Sequence, residues 1–213
     1  QPRSRGLGDV YKRQFQDRLA DTLYFNIQDA TGASLFNSSG SNIFYWDYTG
    51  SSSYSNRALR LDQKAGAVAV PQRVGRILFA PSGHLLALGC TEYDAGAASP
   101  AYLGAYDPLL IRWSNVDPVL GPLPQEWQPT AINTAGDLRV ASGSRIITGY
   151  KTRQEIIIFT DSSVNSIQFI GTSDIFGLQE LANNTSIMGP NVVIAVNNVV
   201  MWMGVDKFYQ YNG

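Results

Sequence analysis

The sequence has little of the material from which catalytic and metal sites are usually built. Among its 213 residues, Cys90 is the one cysteine, which excludes an intramolecular disulfide and a cysteine-based zinc site. The one histidine is His84, which excludes a metal site built on two histidines. It follows Gly83 and precedes an apolar strand, so we predict a turn histidine whose hydrogen bonds are satisfied. Phosphate-binding, dinucleotide-binding and calcium-binding loop motifs are also missing. We therefore predict no catalytic, cofactor-binding or metal-binding residues, no cofactor, and a chain that is not an enzyme.

Charged residues are scarce as well, at 15% against the usual quarter. No apolar run approaches the roughly 20 residues that span a bilayer, so we predict no membrane span. Outside Gln1–Gln14 the sequence keeps 12 basic and 16 acidic residues, a net charge of −4. Affinity for a phosphate backbone depends on clustered Lys and Arg, so this balance argues against a non-specific nucleic-acid binder.

The first fourteen residues differ from the rest of the sequence. Gln1–Gln14 reads QPRSRGLGDVYKRQ, which is basic, rich in small residues and without an apolar period. Within it, Ser4–Gln14 resembles translated sequencing-adapter read-through; the alternative is a short basic arm. We predict that residues 1–14 are a non-native or disordered tag, and that residues 15–213 form a partial β domain truncated at the C-terminus.

Short β-prone segments dominate the remainder, most clearly in its last third. Ile156–Phe159, Val192–Val196 and Val199–Met203 are apolar runs rich in β-branched and aromatic residues. Asn197-Asn198 separates the last two by the spacing of a tight hairpin. The sequence ends on Asn212-Gly213, a hairpin-turn signal, so we interpret it as a fragment cut inside a β-rich repeat. We find no helix longer than a turn or two. The predicted core residues are Ile157, Phe159, Val193, Val200 and Trp202.

Several predicted strands end in the same way, with a large aromatic between a polar residue or Tyr and a turn-forming or small residue. The aromatics are Trp46, Trp113, Phe169 and Tyr211, which are 67, 56 and 42 residues apart. An irregular period of this size, with about four short strands per unit, is typical of a β-propeller with loop insertions. We therefore predict an all-β, propeller-like fold; the alternative is a β-sandwich, whose strands have the same local pattern.

Carbohydrate chemistry is the alternative function that the residues leave open. Exposed aromatics such as Tyr45, Trp46 and Tyr48 could stack on sugars, although packing in the core is the simpler interpretation. Glycoside cleavage would need two carboxylates about 5–9.5 Å apart across a cleft. Most carboxylates have turn contexts instead, and Asp107 and Asp117 each precede a proline. The carboxylates considered are Asp94, Asp107, Asp117, Glu126, Asp137, Asp161 and Asp206.

Four stretches of the sequence share a family-like order and spacing. They are Asp107–Asn115 (DPLLIRWSN), Trp127–Asp137 (WQPTAINTAGD), Gly143–Gly171 (GSRIITGYKTRQEIIIFTDSSVNSIQFIG) and Met188–Gly213 (MGPNVVIAVNNVVMWMGVDKFYQYNG). Together they resemble the structural proteins of tailed bacteriophages. Their order and spacing resemble the tail tubular or nozzle β-propeller proteins of short-tailed phages, with weaker matches at Ile43–Asp47 (IFYWD) and His84–Cys90 (HLLALGC).

The resemblance implies a non-enzymatic virion structural protein, part of an oligomeric tail nozzle or tube through which genome DNA passes. The expected partners are copies of the chain in a ring and other phage tail or portal proteins, with transient DNA passage and no specific binding. The expected location is the virion tail, after synthesis in the host cytoplasm. The alternative is a carbohydrate-binding or carbohydrate-cleaving propeller of a phage adsorption apparatus.

Overall fold

The structure, a computed structural model, describes residues 13–19, 22–28, 42–47, 58–171, 174–196 and 199–213. These residues form seventeen strands and a single 3₁₀ turn, Leu61–Gln63. Within these ranges there is no helix with the length and apolar character needed to cross a membrane. The predicted all-β class is confirmed.

Four antiparallel sheets follow one another along the chain. The first contains β1 (Arg13–Leu19), β2 (Thr22–Gln28), β3 (Phe44–Asp47) and β4 (Leu59–Arg60). The second contains β5 (Arg76–Phe79), β6 (Leu85–Tyr93), β7 (Leu103–Trp113) and β10 (Gly136–Arg139), and the β8–β9 ribbon (Asn115–Asp117, Gly121–Leu123) is inserted before its last strand. The third contains β11 (Ile146–Lys151), β12 (Ile156–Thr160), β13 (Ser163–Phe169) and β14 (Phe176–Asn183). The fourth contains β15 (Val193–Val196), β16 (Val199–Met203) and β17 (Phe208–Tyr211). In each sheet, strands that pair are consecutive in the sequence except where the ribbon intervenes.

Three hydrophobic cores separate these four sheets. In β6, Leu85 and Ala87 enter the core shared with the first sheet, whereas Leu86 and Leu88 enter the core shared with the third. Successive side chains of a strand point to opposite faces, so a strand buried on both faces needs a continuous apolar run. β12 repeats this pattern: Ile156 and Ile158 pack toward the second sheet, and Ile157 and Phe159 toward the fourth. Face-to-face stacking of successive small sheets is propeller-like, whereas a sandwich has one core between two sheets.

The aromatic repeat marks the third strand of every sheet. Trp46 lies on β3, Trp113 on β7, Phe169 on β13 and Tyr211 on β17. Each unit of the irregular repeat therefore corresponds to one sheet, as predicted. The surroundings of these aromatics differ, because Trp113 is buried whereas Trp46 and Phe169 are 39% and 52% exposed.

Most of the predicted core is confirmed. Ile157, Phe159, Val200 and Trp202 are buried in the core between the third and fourth sheets, and Val193 packs against it half-buried. Cys90 is fully buried, as expected of a small apolar residue.

Two segment boundaries differ from the sequence-based expectation. β1 begins at Arg13, two residues before the boundary predicted after Gln14, and pairs with β2. Residues 1–12 lie outside the described part of the chain, so the tag stays a prediction. The proline-rich segment Asn115–Asn133, whose sequence argues against a central strand, contains the β8–β9 ribbon. Pro122 is tolerated there because the ribbon has only two strands.

A buried arginine holds the loops beside the second sheet. Arg112 on β7 has no exposed surface, and its guanidinium donates to the carbonyls of Thr91 (3.2 Å), Ala69 (2.9 Å) and Trp127 (3.0 Å). No carboxylate among the described residues forms a salt bridge with it. Burial lowers the pKa of Arg112. The three carbonyls take the place of a counter-ion for the buried charge, while Arg112 Nε has no hydrogen-bond partner among the described residues.

Candidate functional site

A cleft opens between the second and third sheets, at the end where the β5–β6, β11–β12 and β13–β14 connections meet. Its volume is about 280 Å³. Ligand clefts range over about 300–1,000 Å³, so this one suits a single ring or a short chain end. The lining residues are Pro81, Ser82, Gln154, Glu155, Ile156, Ile167, Phe169 and Phe176.

The β5–β6 turn supplies one wall of the cleft. Gly83 donates its backbone N–H to the Ala80 carbonyl at 2.9 Å, which closes the turn around Pro81 and Ser82. Its φ of +89° lies in the left-handed region, and a Cβ there would come within 2.9 Å of Pro122 Cγ. Glycine is therefore required for the turn to present the Ser82 hydroxyl at the cleft.

The β11–β12 turn supplies the opposite rim. The Thr152 hydroxyl donates to the Glu155 carbonyl at 2.8 Å and accepts the Glu155 N–H at 3.1 Å. The turn is thereby fixed, and Gln154 stands exposed at its tip. Strand alternation then directs Ile156 into the cleft and the Glu155 side chain toward the fourth sheet.

The Glu155 carboxylate is held on that far side. It accepts hydrogen bonds from the hydroxyl of Ser166 and from Gln168 Nε2 at 3.4 Å. Burial, together with the charge of Glu155 and a hydrogen bond to it, raises the pKa of Tyr211 on β17. Glu155 thus links the third and fourth sheets, and Ser82 and Gln154 are the other polar residues in the lining.

An aromatic cluster forms the third wall. The rings of Phe169 and Phe176 meet edge to face with centroids 5.8 Å apart, and His84 packs against both at 5.8 and 5.2 Å. Trp113 supports Phe176 from behind at 5.0 Å. Phe169 is therefore held in place while half of its surface remains exposed.

His84 lies beneath this wall and is 2% exposed. Its Nδ1 is 2.9 Å from the Ser82 hydroxyl and its Nε2 is 3.1 Å from the Thr134 hydroxyl. Burial lowers its pKa to about 4, so the ring is neutral near pH 7. The prediction of a turn histidine with satisfied hydrogen bonds is confirmed.

The carboxylates considered from the sequence do not gather at the cleft. Asp94, Asp107 and Asp117 accept backbone N–H groups two residues ahead, at 2.8, 2.8 and 2.7 Å. Asp161 accepts the N–H of Ser144 at 2.8 Å, and Glu126 accepts the Asn115 amide at 3.0 Å. The turn assignments are confirmed for Asp94, Asp117 and Asp161, whereas Asp107 lies within β7 and forms a salt bridge with Arg139. Asp137 and Asp206 are exposed away from the lining residues.

The part of the chain that the structure describes contains no group of three or more His, Cys, Asp or Glu side chains placed to hold a metal ion. Ser82, Gln154 and Glu155 were not predicted as site residues from the sequence. One feature of the sequence pointed to the cleft. Phe169 belongs to the aromatic repeat, but another apolar residue, Ile170, stands between it and the turn residue Gly171.

No protein-family model matches the sequence, and no curated protein matches it. Two of the solved structures similar to this chain are of carbohydrate-cleaving enzymes. One is an α-L-arabinofuranosidase from Fusarium graminearum with an iminosugar inhibitor: 13% identity, TM-score 0.45, covering 90% of this chain and 52% of that chain. The other is an exo-β-1,3-galactanase from Phanerochaete chrysosporium with β-1,3-galactotriose: 8% identity, TM-score 0.42, covering 94% and 46%. This chain thus spans about half the length of each.

These findings correct one prediction from the sequence. We predicted that the chain is not an enzyme, whereas both similar structures are of carbohydrate-cleaving enzymes, so that prediction is wrong and is not retained. The comparisons do not bear on the resemblance to phage tail proteins. The virion location, the ring of copies, the tail or portal partners and the passage of DNA stay predictions.

Proposed function

We propose that the chain binds a carbohydrate in the cleft between its second and third sheets. One observation carries the proposal: Phe169 is held by neighbouring rings, yet its side chain is 52% exposed at the cleft. A sugar ring has an apolar C–H face and a rim of hydroxyl groups. The face suits Phe169, and the hydroxyl groups suit Ser82 and Gln154 on the two turns.

The cleft matches the general composition of ligand sites, an apolar lining with a few fixed polar groups. Ile156 and Ile167 form its apolar base, and both belong to the core between the sheets. The two polar side chains stand on turns fixed by hydrogen bonds at Gly83 and Thr152. The backbone that carries these side chains therefore loses little freedom when a ligand binds, which favours affinity.

The test is a binding panel of neutral trisaccharides built from galactose, arabinose, glucose and mannose. Phe169→Ala should weaken the best interaction at least tenfold. Ile170→Ala is the matched control, since Ile170 is the next residue, is equally exposed at 52%, and does not line the cleft. The proposal fails if no member of the panel binds, or if both variants bind like the native chain.

The same panel should be assayed for released reducing sugar, because the proposal covers binding and does not decide cleavage. Glu155 is the one carboxylate among the described lining residues, and its side chain is engaged by Ser166 on the far face. Hydrolysis by facing carboxylates needs two across the bound sugar. Loss of released sugar in Glu155→Gln with binding retained would add a catalytic role to the proposed one.

A further inference from the structure

A chain of hydrogen bonds runs from the cleft into the interior. The Ser82 hydroxyl is 2.9 Å from His84 Nδ1, and His84 Nε2 is 3.1 Å from Thr134 Oγ1. Thr134 Oγ1 is 3.0 Å from Asn115 Oδ1. The Asn115 amide Nδ2 donates to Glu126 Oε2 at 3.0 Å. Each link constrains the position of the proton in the next.

The deep end of this chain fixes the orientation of the asparagine. A carboxylate such as Glu126 only accepts hydrogen bonds, so Nδ2 of Asn115 must face it and Oδ1 must face Thr134. The Thr134 backbone N–H also donates to Oδ1, at 3.0 Å. Asn115 Oδ1 is therefore the hydrogen-bond acceptor that faces Thr134.

The histidine tautomer depends on the threonine hydroxyl. Thr134 Oγ1 has one hydrogen and two lone pairs, and it accepts the Val116 N–H at 2.8 Å. Its hydrogen has two oxygen acceptors in reach, Asn115 Oδ1 at 3.0 Å and the Val116 carbonyl at 3.2 Å, beside His84 Nε2 at 3.1 Å. Donation to either oxygen leaves one lone pair for His84 Nε2, and Nε2 then carries the ring hydrogen.

A neutral ring with its hydrogen on Nε2 leaves Nδ1 as an acceptor. The hydrogen of Ser82 is then directed to Nδ1, and Ser82 turns only lone pairs toward the cleft. We propose that the Nε2–H tautomer of His84 makes Ser82 an obligate hydrogen-bond acceptor, so that the cleft selects a sugar hydroxyl over a methoxy or fluoro group at one position. This inference rests on the proposed carbohydrate-binding function. His84, Thr134 and Asn115 act as positioning residues in it.

The first test does not need a ligand. The sequence has one histidine, so two-bond ¹H–¹⁵N spectra of the uniformly labelled 213-residue chain report on His84 alone. At pH 7 the inference predicts a protonated-type Nε2 and an unprotonated-type Nδ1. The Nδ1–H tautomer, or an imidazolium with two equivalent nitrogens, would overturn it. Thr134→Ser should preserve the predicted spectrum because it keeps the hydroxyl.

The second test uses the tightest-binding trisaccharide of the panel and its monofluoro analogues. Fluorine cannot donate, so one analogue should bind the native chain about five- to tenfold more weakly, the range of one hydrogen bond. Ser82→Ala should weaken the parent sugar similarly and should bind that analogue as well as the parent.

The outcomes of the two tests separate the two proposals. If every analogue binds the native chain like the parent sugar, the inference about Ser82 is wrong while carbohydrate binding stands. If no sugar binds, the proposed function fails, and the selection inferred for Ser82 fails with it whatever the tautomer. The inference is also contradicted if every analogue that binds the native chain more weakly does so in Ser82→Ala too, because other groups then make all of the selection.

Discussion

Replacing Arg112 by Met tests how the second sheet is tied to its loops. The change removes a guanidinium that donates to the carbonyls of Thr91, Ala69 and Trp127. Leaving a buried acceptor unsatisfied costs about 1–3 kcal/mol, so three such acceptors give about 3–9 kcal/mol. Part of this cost is offset because a buried charge without a counter-ion carries a desolvation penalty of several kcal/mol.

We therefore expect Arg112→Met to lower the free energy of unfolding by about 2–4 kcal/mol. Urea denaturation followed by tryptophan fluorescence measures it, because Trp127 is itself one of the clamped residues. Arg112→Lys keeps the charge but cannot reach all three carbonyls, so its loss should be at least as large. A change below about 0.5 kcal/mol for Met would refute the reasoning, because it would mean that the three carbonyls find other partners.

Three further predictions concern the cores and the histidine. Trp202→Ala should cost about 3–5 kcal/mol, because Trp202 is 5% exposed and packs on Phe159, and a loss under about 1 kcal/mol in urea denaturation would contradict its burial. Gly149→Ala should cost about 1–3 kcal/mol on the same assay, since its Cβ would come within 2.6 Å of Leu88 Cδ1; an unchanged midpoint would mean that the two sheets can separate without cost. Burial lowers the pKa of His84 to about 4, so the free energy of unfolding should be at its full value above about pH 6.5 and should decrease as the pH falls toward 4. In that range the unfolded chain binds a proton at His84 and the folded chain does not. The free energy of unfolding should decrease by about 2 kcal/mol, a value reduced for screening by solvent near the ring. The same decrease should be absent from the pH profile of His84→Gln.

The repeat of small sheets could be predicted because local chemistry determines it. Hairpin turns and apolar runs placed most strands, and the aromatic that ends the third strand of each sheet gave the order of the sheets. Continuous apolar runs such as Ile156–Phe159 indicate strands that are buried on both faces, because such strands have no polar face and so no alternation of polar and apolar residues.

The cleft could not be predicted, because its walls come from distant parts of the sequence. Ser82 and Phe169 are 87 residues apart and meet only when the second sheet stacks on the third. The exposure of Phe169 is a property of that stacking, since Trp113 has the same place in its own sheet and is buried. The hydrogen-bond chain behind Ser82 likewise needs Thr134, which the β8–β9 insertion brings under the turn.

The most direct test of the central claim is a crystal structure of the chain soaked with the best-binding neutral trisaccharide. The account predicts one sugar ring in the cleft, its C–H face against Phe169 and a hydroxyl within hydrogen-bond distance of Ser82. A sugar bound at another surface, with the cleft between the second and third sheets empty, would contradict it.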